Sequence, residues 1–236
     1  MEDGVRINKF LSEAGYCSRR QADKLLEEGR IEIDGQIAVM GQKVMPGQIV
    51  KADGKLLTKE EEKILLAFNK PKGIVCTSGR YKDNIIDYVN YPKRIYPVGR
   101  LDKDSSGLIF LTNQGELVNK LLRASNYHEK EYVVTVNKDI TREFLDGMAN
   151  GVPILDTVTR KCRVKAISKR TFSIVLTQGL NRQIRRMCEY FDYRVRELKR
   201  VRIMNVELGN LEEGKYRELS EKETALLLKG LKNSRN

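Results

Sequence analysis

Two apolar runs, Ile95-Tyr96-Pro97-Val98 and Leu108-Ile109-Phe110-Leu111, bracket the glycine-bounded segment Gly99-Arg100-Leu101-Asp102-Lys103-Asp104-Ser105-Ser106-Gly107. Short apolar runs stopped by glycine read as buried strands, so the fold needs a sheet with a carboxylate-bearing loop between two of its strands. Side chains on a loop held this way keep fixed positions, which is where function concentrates. An aspartate beside glycine and serine can also simply fold its own turn by bonding local backbone, the commoner role. On spacing alone the turn-forming reading prevails for Asp102.

Towards the amino terminus the apolar period is helical. Ile7, Phe10, Leu11 and Ala14 recur at i, i+3, i+4, i+7, the spacing of one buried face. Ser18 with Gln21 predicts a capping box for a second helix with Ala22, Leu25 and Leu26 inward and Gly29 as its stop. The period then drops to two: Ile31 and Ile33 lead into Asp34-Gly35, a type I′ hairpin signal, with Ile37 and Val39 returning. Arg19 and Arg20 fall on the first turn of the second helix, where free N–H groups and the positive end of the dipole favour a phosphate. Lys24 lies one turn further on. A solvated charged helix would carry the same residues.

From Asp53 to Lys63 the chain is charged and aperiodic, the mark of a linker. Residues 1–52 therefore form a small domain, 53–63 a connector, and 64–236 a larger one. In the larger part, Ile64–Phe68, Gly73–Cys76 and Phe172–Leu176 read as strands, and Tyr132, Val134 and Val136 alternate as a half-buried strand. Asn113 with Glu116, and Ser220 with Glu223, predict capped helices, the second running to Leu231. The fold class is α+β: a helix-helix-hairpin domain, then a mixed, largely antiparallel sheet flanked by helices.

The formal net charge is +12, yet residues 1–60 hold ten basic and ten acidic side chains, so the excess belongs to the rest. Residues 179–202 carry eight Arg or Lys against three acids, a density suited to a polyanion and salt-sensitive binding. Cys17, Cys76, Cys162 and Cys188 show no metal-type pairing, and a chain of 236 residues needs no disulfide staple. With no apolar run near membrane-span length and no signal-type start, a cytoplasmic protein without membrane association is expected. His128 is the only histidine, which removes paired-histidine RNA cleavage. Phosphate loops, dinucleotide fingerprints and zinc spacings are absent from the sequence, so no cofactor or metal is expected. Carboxylate, phenol and guanidinium remain to carry any chemistry.

Gly99-Arg100-Leu101-Asp102 followed by an apolar strand and Thr112-Asn113 resembles the catalytic motif of the pseudouridine synthases of the RsuA type. Asn69-Lys70-Pro71-Lys72-Gly73, Lys130-Glu131-Tyr132 and Gly179-Leu180-Asn181-Arg182-Gln183-Ile184-Arg185-Arg186-Met187 resemble its other three motifs, and residues 5–50 resemble an S4 RNA-binding module. Gly179–Gln183 and Arg202-Ile203-Met204-Asn205-Val206 are most similar to the branch acting on large-subunit 23S rRNA. The resemblance implies that Asp102 is the nucleophile, attacking C1′ of the ribose or C6 of the uracil, and that Tyr132 packs on the target base. A cross-strand core aromatic would meet the same spacing at Tyr132. A nucleophilic carboxylate must stay ionised in a closed pocket where desolvation favours the neutral form; the resemblance makes Arg185 the cation that does this. Asn181 is expected to cap its helix, with Ile184, Met187, Cys188 and Phe191 buried and Arg182, Arg185 and Arg186 on another arc.

Arg19, Arg20, Lys24, Arg182 and Arg186 are expected RNA contacts, and Lys70 and Arg100 scaffold or phosphate-positioning residues. The expected partner is RNA, 23S rRNA first and tRNA second, met by a monomer. An rRNA-binding assembly factor without activity is the alternative, but it would be expected to lack one of Asp102, Tyr132 and Arg185. An acid hydrolase using Asp102 and Asp104 as paired carboxylates would need neither the RNA module nor the basic excess.

Overall fold

The structure, a computed structural model, describes residues 4–58, 62–77, 82–232 and 234. The chain divides into two compact units, the first reaching Ile64 and including Tyr91–Arg94 and Asn113–Gly115.

In the first unit, helices Ile7–Glu13 and Arg19–Glu27 form where the period of 3.6 predicts them. Ser18 Oγ accepts from the Gln21 N–H while Gln21 Oε1 accepts from the Ser18 N–H, closing the expected box. Behind them lies a four-stranded antiparallel sheet in the spatial order Gln36–Ile37, Ile31–Ile33, Val50–Ala52, Lys55–Leu57. Asp34 (φ 52°) and Gly35 (φ 80°) make the first hairpin, the double positive φ of a type I′ turn.

Asp53 (φ 49°) and Gly54 (φ 74°) repeat this device, so the expected linker is corrected: residues 53–57 are a hairpin turn and an edge strand. Its charge is that of a short, lysine-bearing edge, and Leu57 packs on the small core. The returning strand is also corrected. It ends at Ile37, and Ala38 turns inward as its N–H donates to Ile31 O at 2.8 Å, leaving Ile37 and Val39 exposed.

The second unit is built on one nine-stranded sheet. Its main order is Arg163–Ser168, Thr171–Leu176, Lys130–Val136, Val195–Ile203, Ser106–Thr112, Leu65–Lys70, Tyr216–Glu218. Every pairing along it is antiparallel except that of Val195–Ile203 with Ser106–Thr112, in agreement with the expected α+β class. Phe144, Phe172, Met187 and Leu198 build one core, with helices Arg142–Asn150 and Gln183–Tyr190. Ala67, Leu108, Phe110 and Leu227 build another, with helices Gly115–Leu122 and Glu221–Leu231.

Ser220 and Glu223 cap the last helix as expected. Asn113 does otherwise: its amide accepts from the Ile64 N–H and donates to Glu62 O, and the helix starts at Gly115. Residues 73–76 are not a strand; the segment makes one bridge, Val75 to Asn84, because Ile74 O is taken by a buried lysine side chain. Among the described residues no helix is long and apolar enough to cross a membrane.

Candidate active site

The loop between Tyr96–Pro97 and Ser106–Thr112 forms one wall of a cavity of about 740 Å³ in the second unit. Backbone bonds pin that loop on both sides of the carboxylate. Leu101 N–H donates to Cys76 Sγ at 3.3 Å, Ser105 N–H to Asp102 O at 3.0 Å, and Gly73 N–H to Lys103 O at 2.7 Å. Burial pushes the Cys76 thiol up, so it acts here as a neutral acceptor. The Asp102 side chain remains 35% exposed, which leaves it open to a ligand.

The helix Gln183–Tyr190 brings two guanidiniums to this loop, in an arrangement the sequence did not foretell. Arg182, not Asn181, occupies the N-cap position, in left-handed geometry with φ 50°. Its Nη1 lies 3.7 Å from Asp102 Oδ2 and 3.4 Å from Asp104 Oδ1. Arg185, expected beside Asp102 and off the buried arc, is 8% exposed. Its Nη2 meets Asp104 Oδ2 at 3.1 Å, Asp104 O at 3.1 Å and Ser105 Oγ at 3.3 Å. Arg182 is therefore the arginine set against Asp102, and Arg185 grips the loop two and three residues further on. Both arginines engage Asp104, so the carboxylate that a paired-acid hydrolase would need is already occupied. Arg186 donates to Asn181 O at 3.1 Å, and Gln183 Oε1 accepts from the Leu180 N–H at 3.0 Å, holding the turn before the helix.

Tyr132, part-buried against the core, lines the same cavity, as do Arg100, Lys130 and Arg200. Arg100 is exposed at the site. Arg200 is buried: its Nε donates to Leu108 O at 2.6 Å, and its guanidinium carbon stands 6.0 Å from the centre of the Tyr132 ring. The surroundings of Lys130 disfavour its charge, since burial first and the Arg200 guanidinium second pull its ammonium down to about 8.

Of the two roles expected of Lys70, scaffold or phosphate-positioning RNA contact, the structure shows the first. Lys70 is fully buried, and its Nζ donates to Pro71 O at 2.7 Å and Ile74 O at 2.9 Å; this is the scaffold role. Burial lowers its pKa. Arg19, Arg20 and Lys24 stand exposed on the helix Arg19–Glu27 of the first unit, with Arg19 Nη2 3.4 Å from Asn8 Oδ1.

Sequence reasoning missed Lys130 and Arg200. Lys130 had a signal, being two residues before Tyr132 on a strand of period two. Arg200 had none, because nothing local distinguishes a buried arginine within a basic run.

A pinned loop carboxylate, an arginine beside it and a strand tyrosine share one cavity, and a helix-helix-hairpin unit precedes them in the chain, the combination of an enzyme joined to a small accessory domain. Residues 64–190 match the model of the RNA pseudouridylate synthases and residues 5–53 that of the S4 domain, and the chain belongs to the RNA pseudouridylate synthase family. It is 54% identical to the dual-specificity RNA pseudouridine synthase RluF of Escherichia coli (strain K12), over 99% of this chain and 81% of that protein. To the ribosomal large subunit pseudouridine synthase B of Bacillus subtilis (strain 168) it is 35% identical, over 94% and 95% of the two chains. A crystal structure of a pseudouridylate synthase superposes with a TM-score of 0.70 at 28% identity, covering 94% of this chain and 99% of that one. The chain is thus a pseudouridine synthase, an isomerase.

Proposed function

We propose that this enzyme isomerises a uridine of large-subunit 23S rRNA in the cytoplasm, acting as a monomer, with Asp102 as its nucleophile. The observation that carries the assignment is the placement of Asp102: on a loop pinned at Leu101, Lys103 and Ser105, open to the cavity, with Arg182 at 3.7 Å. The large-subunit substrate rests on the name of the Bacillus relative, and the words "dual-specificity" in that of the Escherichia coli relative accord with a second RNA substrate.

A stacked uridine hides its reacting atoms, so the base must be flipped out, at a cost of a few kcal/mol offset by backbone contacts. The cavity is of the size that encloses a small ligand. There the N1–C1′ bond breaks, the base turns, C5 joins C1′, C5 gives up its proton and N1 takes one, with no redox change. A carboxylate that holds one of the separated parts covalently is sufficient. Arg182 sets a guanidinium beside the carboxylate, Tyr132 packs on the base, and Arg185 keeps the loop in place through Asp104 and Ser105. Arg100 and Arg186, with Arg19, Arg20 and Lys24 of the S4 unit, take the RNA backbone.

The test is tritium release from RNA labelled at uridine C5. Asp102→Asn keeps the side-chain shape and should show no turnover with RNA affinity unchanged; turnover by this variant refutes the nucleophile. Arg182→Gln should lower the single-turnover rate about tenfold, or ~1.4 kcal/mol of transition-state stabilisation. If only Arg185→Gln had that effect, the roles assigned to the two arginines would have to be exchanged.

A further inference from the structure

Among the described residues Lys130 is a cation without an acidic partner. No described carboxylate lies within 4.0 Å of its ammonium, and its hydrogen bond to His128 O is a long one, 3.4 Å. An ammonium has three donors, so two remain to be used. Its cross-strand neighbours are Leu176 and Ile203, both buried aliphatics that line the cavity with it. A lysine on such a wall loses hydration and recovers little. Surface lysines avoid this by extending into water; this one lines the cavity wall.

Lys130 precedes Tyr132 by two positions on one strand, so the two side chains share a face. Both line the cavity that Asp102 overlooks. The site thus presents a carboxylate to one part of the nucleotide and, on the wall with the tyrosine, an ammonium with spare donors.

We propose that Lys130 is a further catalytic residue, whose ammonium donates a hydrogen bond to a carbonyl oxygen of the flipped uracil and stabilises the negative charge the ring acquires during the reaction. The inference rests on the isomerase reading above. It holds for either point of attack by Asp102. If the carboxylate bonds to C1′, the electron pair of the N1–C1′ bond leaves on the base and spreads over its carbonyl oxygens. If it bonds to C6, the pair of the C5–C6 double bond is pushed towards the C4 carbonyl oxygen. In both cases charge that is absent from the bound uridine appears on a carbonyl oxygen. A donor fixed there binds the transition state more tightly than the ground state. The lysine keeps its proton throughout, the pair returns to the C5–C1′ bond or to the re-formed ring, and no further reactant is needed.

The charged group that bears on Lys130 is Arg200, on the adjacent strand; His128, two residues before it, is held neutral first by burial and then by Lys130 itself, and Tyr132 and Asp102 share its cavity. Arg200 is a cation and discourages a second one, so the ammonium holds its proton to about pH 8. The protonated form is the active one, and activity conferred by it is present below that pH and lost above.

The experiment is the single-turnover rate of tritium release at saturating enzyme between pH 6 and 10, for the full chain and for Lys130→Met and Lys130→Arg, with RNA affinity measured in parallel. The wild type should lose rate above about pH 8. Lys130→Met should be slower by roughly a hundred- to a thousandfold at pH 7, lack that limb and bind RNA as the wild type does. Lys130→Arg should regain most of the rate and move the limb beyond the range, since guanidinium stays charged. Any limb from ionisation of uridine itself persists in Lys130→Met and is thereby told apart.

A rate loss in Lys130→Met with the limb unchanged means a packing role and overturns the proposal, as does a loss confined to RNA affinity, which means a phosphate contact. An unaltered rate overturns it outright. Failure of the isomerase reading looks different: the wild type itself would release no tritium from any RNA offered.

Discussion

Gly107 is where the active loop passes into the sheet, and replacing it with alanine tests how that loop is held. Its φ is +105°, and a Cβ built there would stand 2.2 Å from Arg200 O, 2.6 Å from Arg200 N and 3.0 Å from Arg200 C. These are backbone atoms of the parallel partner strand, paired in register with Gly107, and they cannot swing away as a side chain can. Holding an L residue in this backbone region costs ~1–3 kcal/mol, and forcing a methyl group into a close-packed contact another ~1–3 kcal/mol. The combined penalty is thus ~2–6 kcal/mol. At about 2–4 °C per kcal/mol for a domain of this size, the melting temperature should fall by roughly 4–24 °C. Circular dichroism melts of Gly107→Ala and of Gly179→Ala make the comparison: Gly179 has no positive φ and no atom within 4 Å of a built Cβ, so its replacement should be nearly neutral. At temperatures where Gly107→Ala stays folded, tritium release should also drop, because the displaced strands carry Arg200 and the loop of Asp102. A melting point for Gly107→Ala within about 2 °C of the wild type, or an equal fall for Gly179→Ala, would refute the close approach as the reason for glycine.

Arg19→Ala with Arg20→Ala should weaken binding of the rRNA substrate and flatten the slope of log K against log salt by about 1.4–1.8, the release of two counterions, with the single-turnover rate at saturation unchanged; a lower saturated rate with an unaltered slope would contradict the assignment. Glu223, held at about 2 first by its hydrogen bond from Arg217, contributes stability that is full above the ordinary carboxyl range near 4.5 and fades as pH falls towards 2. Glu223→Gln should therefore remove part of the acid sensitivity of unfolding over that interval, and identical acid titrations for the two proteins would exclude it.

Local chemistry made much of this protein legible in one dimension. The box Ser18/Gln21, the box Ser220/Glu223 and the turn Asp34-Gly35 each depend on residues three or fewer positions apart, so side-chain type and spacing suffice. The same holds for the buried strand Ser106–Thr112, whose apolar run allows no exposed face. Errors arose where a local rule had two outcomes. Charged residues 53–57 satisfied both a linker and a lysine-edged hairpin, and Val50 to Leu57 closed the sheet because Ile31–Ile33 was there to receive it. Gly73–Cys76 had the composition of a strand but lost the pairing to the ammonium of Lys70.

For the site, the sequence by itself determined the chemical inventory: Asp102 on a glycine-bounded loop, Tyr132 on an alternating strand, and a cationic helix, in a chain whose positive excess lies outside the S4 unit. Only the tertiary structure decided the partnerships. Arg182 and Arg185 are three residues apart and chemically identical, and both meet Asp104, yet only Arg182, at its left-handed N-cap, also reaches Asp102, while buried Arg185 turns to Ser105. Lys70 became scaffold and Lys130 a cavity cation by the same cause. Whether a charge is solvated, paired or stranded depends on strands far away in the chain, which carry Leu176, Ile203 and Arg200 to Lys130, and no spacing along the sequence records that meeting.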